Sequence, residues 1–240
     1  MKKCIIIGAS SGIGREIARL LIDDGWQLGI AARRREKLME TQQLAPDRVS
    51  IREIDVTDSS AAESLNYLIN SVGGMNLFIY SAGIGWQNRE LEEEKELATV
   101  QTNATGFARM TGEAYRYMAR NGGGQIACIS SIAGTMGLGP APAYSATKAM
   151  QQTYLEALQQ QANQRRLNIQ ITDIRPGFVD TDLLGHAHYP MMMKVADAAR
   201  LTLTAIKKRK PAATIDWRWR LLTRAWKMIP KCIWRKMKIS

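Results

Sequence analysis

Short apolar runs punctuate the chain at residues 4–7, 27–31, 49–54, 76–80, 125–130 and 168–174, with a weaker one at 212–215. Within each run the apolar character is continuous and does not alternate, which predicts strands covered on both faces. The intervening segments have helix length, and their apolar positions recur at helical spacing, as at Ile17, Leu20 and Leu21. Buried strands alternating with helices predict an α/β protein: a single doubly wound parallel sheet, Rossmann-like, with right-handed crossovers and helices on both faces. A chain of 240 residues is long enough for one such domain.

The stretch IIIGASSGIGREIARLLIDDG places Gly8, Gly12 and Gly14 between the first strand and the first helix. Glycines there let backbone N–H groups approach a pyrophosphate at the positive end of the helix. A strand before, a helix after and a second strand about twenty residues on are the context a dinucleotide-binding turn needs; the alternative is a tight turn that binds nothing. In dinucleotide folds the second strand usually ends in an acid that takes the adenosine ribose and selects NAD. Here it runs into GIAARRREKL, with Ala32 and Arg33 at that place. A guanidinium from Arg33, with Arg34 beside it, pairs with a 2′-phosphate, so NADP(H) is the expected cofactor and NAD(H) stays open. A solvated helix start is the other role for this run, and it suits Arg35 best.

Tyr144 and Lys148, in AYSATKAMQQTYLEAL, are four apart, which on a helix puts both on one face. An exposed pair on a surface helix would show the same spacing. Ser131, in CISSIAG at the end of a buried strand, lifts the pair above that reading, because open α/β sheets bind ligands at the carboxyl ends of their strands. A phenol with a pKa of about 10 is a poor acid–base catalyst at neutral pH, and a neighbouring ammonium favours its anion. Lys148 is therefore expected to lower the pKa of Tyr144, with the Ser131 hydroxyl holding a substrate oxygen beside the phenol.

In chain order stand GASSGIG at 8–14, Asp55 and Val56 after the third strand, SAG at 81–83, Asn103 in NATG, Ser131, Tyr144 with Lys148, and RPGFVDT at 175–181. With these motifs, residues 2–215 resemble a short-chain dehydrogenase/reductase of the basic single-domain type. The resemblance implies an oxidoreductase that moves a hydride between a nicotinamide and a carbonyl or secondary alcohol. It implies that Gly8, Ser10, Ser11, Ile13 and Gly14 line the pyrophosphate and adenosine ribose, Arg33 the 2′-phosphate, and Asp55 and Val56 the adenine. Ser81, Ala82 and Gly83 would flank the cofactor. Tyr144 would be the general acid or base, Ser131 the carbonyl-orienting group, Lys148 a ribose binder as well as the pKa modifier, and Asn103 the holder of a proton-relay water. After Pro176 and Gly177, the backbone of Val179 and the side chain of Thr181 would fix the carboxamide. Two positions depart from the family: Ile7 stands where many members have Thr, and Ser81 in YSAG where the commoner motif has Asn.

The segment from Asp182 to a helix beginning near Val195 is where such folds close over substrate, and it is rich in Leu and Met. Leu183, Leu184, Tyr189 and the run Met191, Met192 and Met193 can wall a pocket for a neutral lipophilic carbonyl or alcohol, or simply pack against the sheet. His186 and His188 lack further ligands nearby, so no metal is expected. The charges of GWQNRELEEEKEL, at 85–97, are expected on a solvated face. The resemblance also implies a homodimer or homotetramer, formed through the helices at 98–118 and 143–161.

Charge divides the chain. From Lys207 onward there are 12 Lys and Arg against one acid, whereas the first 206 residues carry 21 of each, so the net +11 belongs to the C-terminal segment. Residues 1–215 are expected to form the domain and residues 216–240 a basic, Trp-rich tail. As one helix the tail would align Trp219, Leu222, Trp226, Ile229, Ile233 and Met237 on one side, with a break at Pro230. That pattern suits peripheral contact with an anionic membrane, or packing on the protein itself or a neighbouring subunit. Nucleic acid is not an expected partner, because the body offers no basic face and no nucleic-acid module. No run approaches the roughly 18 apolar residues of a membrane span. Three cysteines without CxxC spacing point to free thiols and a cytoplasmic setting. The rival to an enzyme is a silent NADP(H)-binding sensor or scaffold, against which the presence of Asn103, Ser131, Tyr144 and Lys148 argues.

Overall fold

The computed structural model describes residues 2–185 and 189–238, so His186 and His188 lie outside the described residues. Seven strands, β1 (Lys3–Ile7), β2 (Gln27–Ala32), β3 (Val49–Glu53), β4 (Leu77–Tyr80), β5 (Gly124–Ile129), β6 (Ile169–Pro176) and β7 (Ala212–Ile215), form one parallel sheet among the described residues. Their order is β3-β2-β1-β4-β5-β6-β7. It reverses beside β1, where Ile7 pairs with Ala31 on one side and Tyr80 on the other.

Side chains alternate between the two faces, and each face has its own apolar layer. Ile5, Ile7, Phe78, Tyr80, Ile126 and Cys128 pack on α3 (Ala61–Val72), α5 (Phe107–Arg120) and α6 (Pro142–Gln164). Cys4, Ile6, Leu28, Ile30, Ile79 and Ala127 face the opposite way, onto α1 (Gly12–Asp23), α2 (Arg35–Gln42) and α7 (Val195–Lys207). Each fully buried Ile, Leu or Phe of these layers contributes about 1.5–3 kcal/mol, so the core that the continuous apolar runs foretell is what fixes the sheet.

Local signals place the ends of the elements. Pro142 starts α6, where its missing N–H is lost to no hydrogen bond, and Gly73 ends α3 in the left-handed region at φ +74°. Helix α4 (Glu93–Val100) runs into α5 through a π-helical turn, Gln101–Gly106, which contains Asn103. The charges of 85–97 are only partly solvated: Glu96 accepts from Asn88 Nδ2 at 2.8 Å and from the Ala143 amide at 3.2 Å, which ties this loop to the start of α6.

The tail is two helices, α8 (Trp217–Lys227) and α9 (Lys231–Trp234), separated around Pro230. Asp216 caps α8 by accepting from the Arg218 amide at 2.9 Å. The single stripe expected from an unbroken helix does not form. Trp219, Trp226 and Trp234 turn inward, and their indoles donate to Met191 O, Thr135 Oγ1 and Gly137 O. Ile233 and Met237 are exposed because the break resets the helical phase, and Leu222 is exposed because it lies at the edge of the inward face that Trp219, Thr223 and Trp226 form on α8.

Candidate active site

At the carboxyl edge of the sheet the β1–α1 loop and the β4 loop are bound to each other. The Gly8 and Ala9 amides both donate to Ala31 O, at 2.8 and 3.2 Å, and the Ser81 amide donates to Ile7 O at 2.8 Å. Gly8 has φ +87°, and a Cβ there would stand 2.5 Å from the Ala82 nitrogen. A Cβ on Gly14 would stand 2.3 Å from Gly8 O. Gly14 thus holds α1 against the loop from behind and does not line the cavity, while Gly8, Ser10, Ser11, Gly12 and Ile13 do. The result is a cradle only glycine can form, at the N-terminus of a helix with no acid in its first turn.

Beyond the end of β2, Arg34 reaches back to this cradle. Its guanidinium donates to Ser11 Oγ at 2.6 Å and to Ser10 Oγ at 3.1 Å, and it lies 3.5 Å from Asp182. Arg33 is largely exposed and stands 3.9 Å from Asp55. Burial pushes the Asp55 carboxyl up, but the Thr57 amide at 2.9 Å, the Thr57 hydroxyl at 2.7 Å and Arg33 outweigh it, so Asp55 is held below the usual carboxylate range. Asp55, Val56, Ser81, Ala82 and Gly83 line the same cavity as the cradle.

Tyr144 and Lys148 share one face of α6, with the ammonium 5.7 Å from the ring centroid. Lys148 donates to Ile129 O at 3.0 Å and to Gln151 Oε1 at 3.1 Å. Burial pushes its pKa down to about 8, against the pull of Cys128 and Asp173. The expected lowering of Tyr144 does not appear. Burial raises the phenol, the facing Ser131 hydroxyl pulls it part of the way back, and the Lys148 ammonium is spent on Ile129 and Gln151. Ser131 Oγ accepts from the Ala133 amide at 3.1 Å, which leaves its own hydrogen to give.

Asn103 is fully buried behind this pair, outside the cavity lining. Its side chain accepts from the Ile84 amide at 2.9 Å and donates to Ile84 O at 2.7 Å, so it fixes the loop that follows Gly83. Its backbone carbonyl, in the π-helical turn, accepts from Gln151 Nε2 at 2.8 Å. Gln151, itself 0% exposed, therefore bridges Lys148 and Asn103. The sequence reading missed it. Its signal was a polar side chain three residues after Lys148, on a helix face that must be buried for Lys148 to reach the sheet.

Cradle and pair open into one cavity of about 960 Å³. Pro176, Gly177, Val179 and Thr181 line it, as do Leu183, Leu184 and Tyr189. Met192 does not: its sulfur lies 3.3 Å from the Tyr189 amide, so it supports the loop instead of walling the cavity. Phe178, Trp219 and Trp226 complete the apolar wall, and none of them was expected there. Phe178 stacks on Tyr189 with centroids 4.2 Å apart and meets Trp219 edge-on at 5.4 Å. Trp219 and Trp226 are seven apart, one face of a helix, which was the available signal. Gly85 was missed too; a Cβ there would stand 2.3 Å from Tyr144 Cδ2, so the loop lies flat on the phenol ring. Among the described residues no group of His, Cys, Asp and Glu could hold a metal ion.

The sequence pattern of the short chain dehydrogenase family matches residues 2–189. An uncharacterized oxidoreductase of Myxococcus xanthus (strain DK1622) is 31% identical over 237 residues, covering 95% of this chain and 93% of the relative. Another, from Staphylococcus saprophyticus subsp. saprophyticus, is 32% identical over 221 residues, covering 90% of this chain and 89% of the relative. Among solved structures, a short chain dehydrogenase from Burkholderia cenocepacia J2315 in complex with NADP superposes with a TM-score of 0.85 at 20% identity, covering 100% of both chains. An alcohol dehydrogenase from the archaeon Thermococcus sibiricus, complexed with 5-hydroxy-NADP, superposes with a TM-score of 0.80 at 24% identity, covering 90% of this chain and 96% of that one. At such identities the structural likeness is one of fold. With the family pattern matched along most of its length and a relative 31% identical across 95% of it, this chain belongs to the short chain dehydrogenases.

Proposed function

We propose that the protein is an NADP(H)-dependent oxidoreductase that interconverts a lipophilic carbonyl and its alcohol. The observation that carries this reading is the convergence of the Tyr144 phenol and the Ser131 hydroxyl on one wall of a cavity that is continuous with the glycine cradle. The cradle fits a dinucleotide: Gly8 at φ +87° and Gly12 at φ +54° line it in a conformation that glycine alone takes readily, and the helix behind it presents free N–H groups. Arg33 and Arg34 would pair with a 2′-phosphate, since no acid stands at the end of β2 to take a free ribose hydroxyl. Bound there, the nicotinamide supplies or accepts the hydride.

The chain's own residues handle the oxygen and its proton. Ser131 donates to the substrate oxygen with the hydrogen that Ala133 leaves free. Tyr144, raised by burial, is protonated at neutral pH and gives its proton to that oxygen as the carbonyl is reduced. Lys148, at about 8, is still mostly charged at pH 7 and is the cation that faces the ring of the phenolate left behind, 5.7 Å from its centroid. Phe178, Trp219 and Trp226 keep water from the reacting atoms.

The test is NADPH oxidation, followed by absorbance, across a panel of ketones and aldehydes graded by chain length. Turnover that Tyr144→Phe reduces by about 10²–10⁴-fold, with NADPH still bound, is the expected result. Tight NADPH binding without turnover of any carbonyl would favour the sensor or scaffold instead.

A further inference from the structure

Helix α8 has two faces. Inward stand Trp219, Thr223 and Trp226, at helical spacing, two of them walling the cavity. Outward stand Trp217, Leu221 and Met228, at 65%, 55% and 83% exposure, which helical spacing puts on the opposite side. Arg224 lies among them, and Arg220 and Lys227 border them, all exposed. Beyond Pro230, Ile233 and Met237 are also exposed, among Lys231, Arg235, Lys236 and Lys238. The segment's one acid, Asp216, is taken by Arg218, so the cations along one flank of the apolar stripe have no acid of the segment beside them.

Exposed apolar stripes of this kind mark contact surfaces. A second copy of the chain is a poor occupant, because a two-fold contact would bring the two cationic faces together. An anionic bilayer matches both components: tryptophan and aliphatic side chains enter the headgroup region, and each Lys or Arg near the surface multiplies affinity about fivefold. We propose that the outward face of α8 and α9 docks on an anionic lipid surface, so that the cavity lies one helix thickness, about 10 Å, from the lipid that holds its carbonyl substrate. The docking stands on the surface alone; the lipid-borne substrate rests on the oxidoreductase reading.

Co-sedimentation with phosphatidylcholine vesicles, with and without phosphatidylglycerol, tests the docking on the full chain. The expected result is binding to the phosphatidylglycerol vesicles and at least tenfold weaker binding to phosphatidylcholine alone. Two variants, one combining Trp217→Ser, Leu221→Ser and Met228→Ser and one combining Arg220→Gln, Arg224→Gln and Lys227→Gln, should each lose tenfold or more while reducing a short water-soluble ketone at the wild-type rate. Equal sedimentation of all three proteins, or none, overturns the proposal. So does a dimer in solution that the Ser variant dissociates, since a second copy would then own the face. With a long-chain ketone carried in the vesicles, phosphatidylglycerol should speed wild-type NADPH oxidation tenfold and leave the variants unchanged. Sedimentation without that gain overturns lipid delivery, and turnover of neither ketone overturns the oxidoreductase reading while the sedimentation result stands.

Discussion

Replacing Gln151 by Leu removes both ends of the bridge between Lys148 and Asn103 while keeping much of the buried volume. Lys148 would be left with Ile129 O alone, in a place where burial already holds it at about 8. A hydrogen bond to a charged group is worth about 1.5–3 kcal/mol and one pKa unit is about 1.4 kcal/mol, so the ammonium should fall by a further one to two units. Lys148 would then be half or more neutral at pH 7, and the Tyr144 anion would lose much of its counter-charge. The assay is kcat for carbonyl reduction at saturating NADPH from about pH 6 to 9. In the wild type the limb attributed to Lys148 should fall through about 8. In Gln151→Leu it should move to about 6–7, and in Gln151→Glu, where a carboxylate favours the ammonium, it should move up. Three superimposable pH profiles, with only a shared loss of thermal stability, would refute this and leave Gln151 as packing.

Other expectations follow from single contacts. Arg33→Ala with Arg34→Ala should raise KM for NADPH about 10- to 100-fold and leave NADH unchanged, because two charge-assisted partners of a 2′-phosphate are removed; equal losses with both cofactors would refute the assignment. Gly177→Ala would put a Cβ 2.2 Å from the Trp219 indole nitrogen, which Phe178 and Met191 O hold in place. It should cost about 1–3 kcal/mol in stability, shift tryptophan emission and raise substrate KM more than it lowers kcat; unchanged emission and melting would refute it. Burial pushes the Cys4 and Cys128 thiols and the Tyr80 phenol far up. Above about pH 9 the unfolded chain therefore releases protons that the folded chain keeps, and stability falls as pH rises. The Tyr144 and Tyr154 phenols, also raised by burial, act in the same sense, and Lys148, shifted down, opposes them as one group against five, so Tm should decline from about pH 9 to 11 and decline less in Cys128→Val, whereas a flat Tm would refute the account.

Much of the fold was legible because burial on both faces leaves a continuous apolar run, and every such run became a strand to within about two residues. The weak run at 212–215 did as well, since β6 supplies its partner. The glycine cradle and the Tyr144–Lys148 face were legible for a similar reason: each is local in the chain. What escaped depends on distant segments. Gln151 gains its meaning from Asn103 and Ile129, which a helical wheel cannot supply. The Tyr144 shift was inverted because sequence spacing places the Lys148 ammonium near the phenol but says nothing of burial or of the partners that occupy its N–H groups. The wheel drawn through Pro230 failed because periodicity holds only within one unbroken helix.

Composition draws a boundary at Lys207, where the balanced part of the chain gives way to the basic segment. The contact of Trp219 with Gly177 and Phe178 crosses that boundary. During synthesis the sheet, the cradle and the Tyr144–Lys148 pair can all form before α8 has emerged, so the chain passes through a stage with its chemistry assembled and its chamber open on one side. Proteolysis after Ile215 would recreate that stage. In the proposed oxidoreductase, cofactor binding and substrate selection would thereby separate, because the residues assigned to the first all precede α8 and the wall of the second includes Trp219 and Trp226.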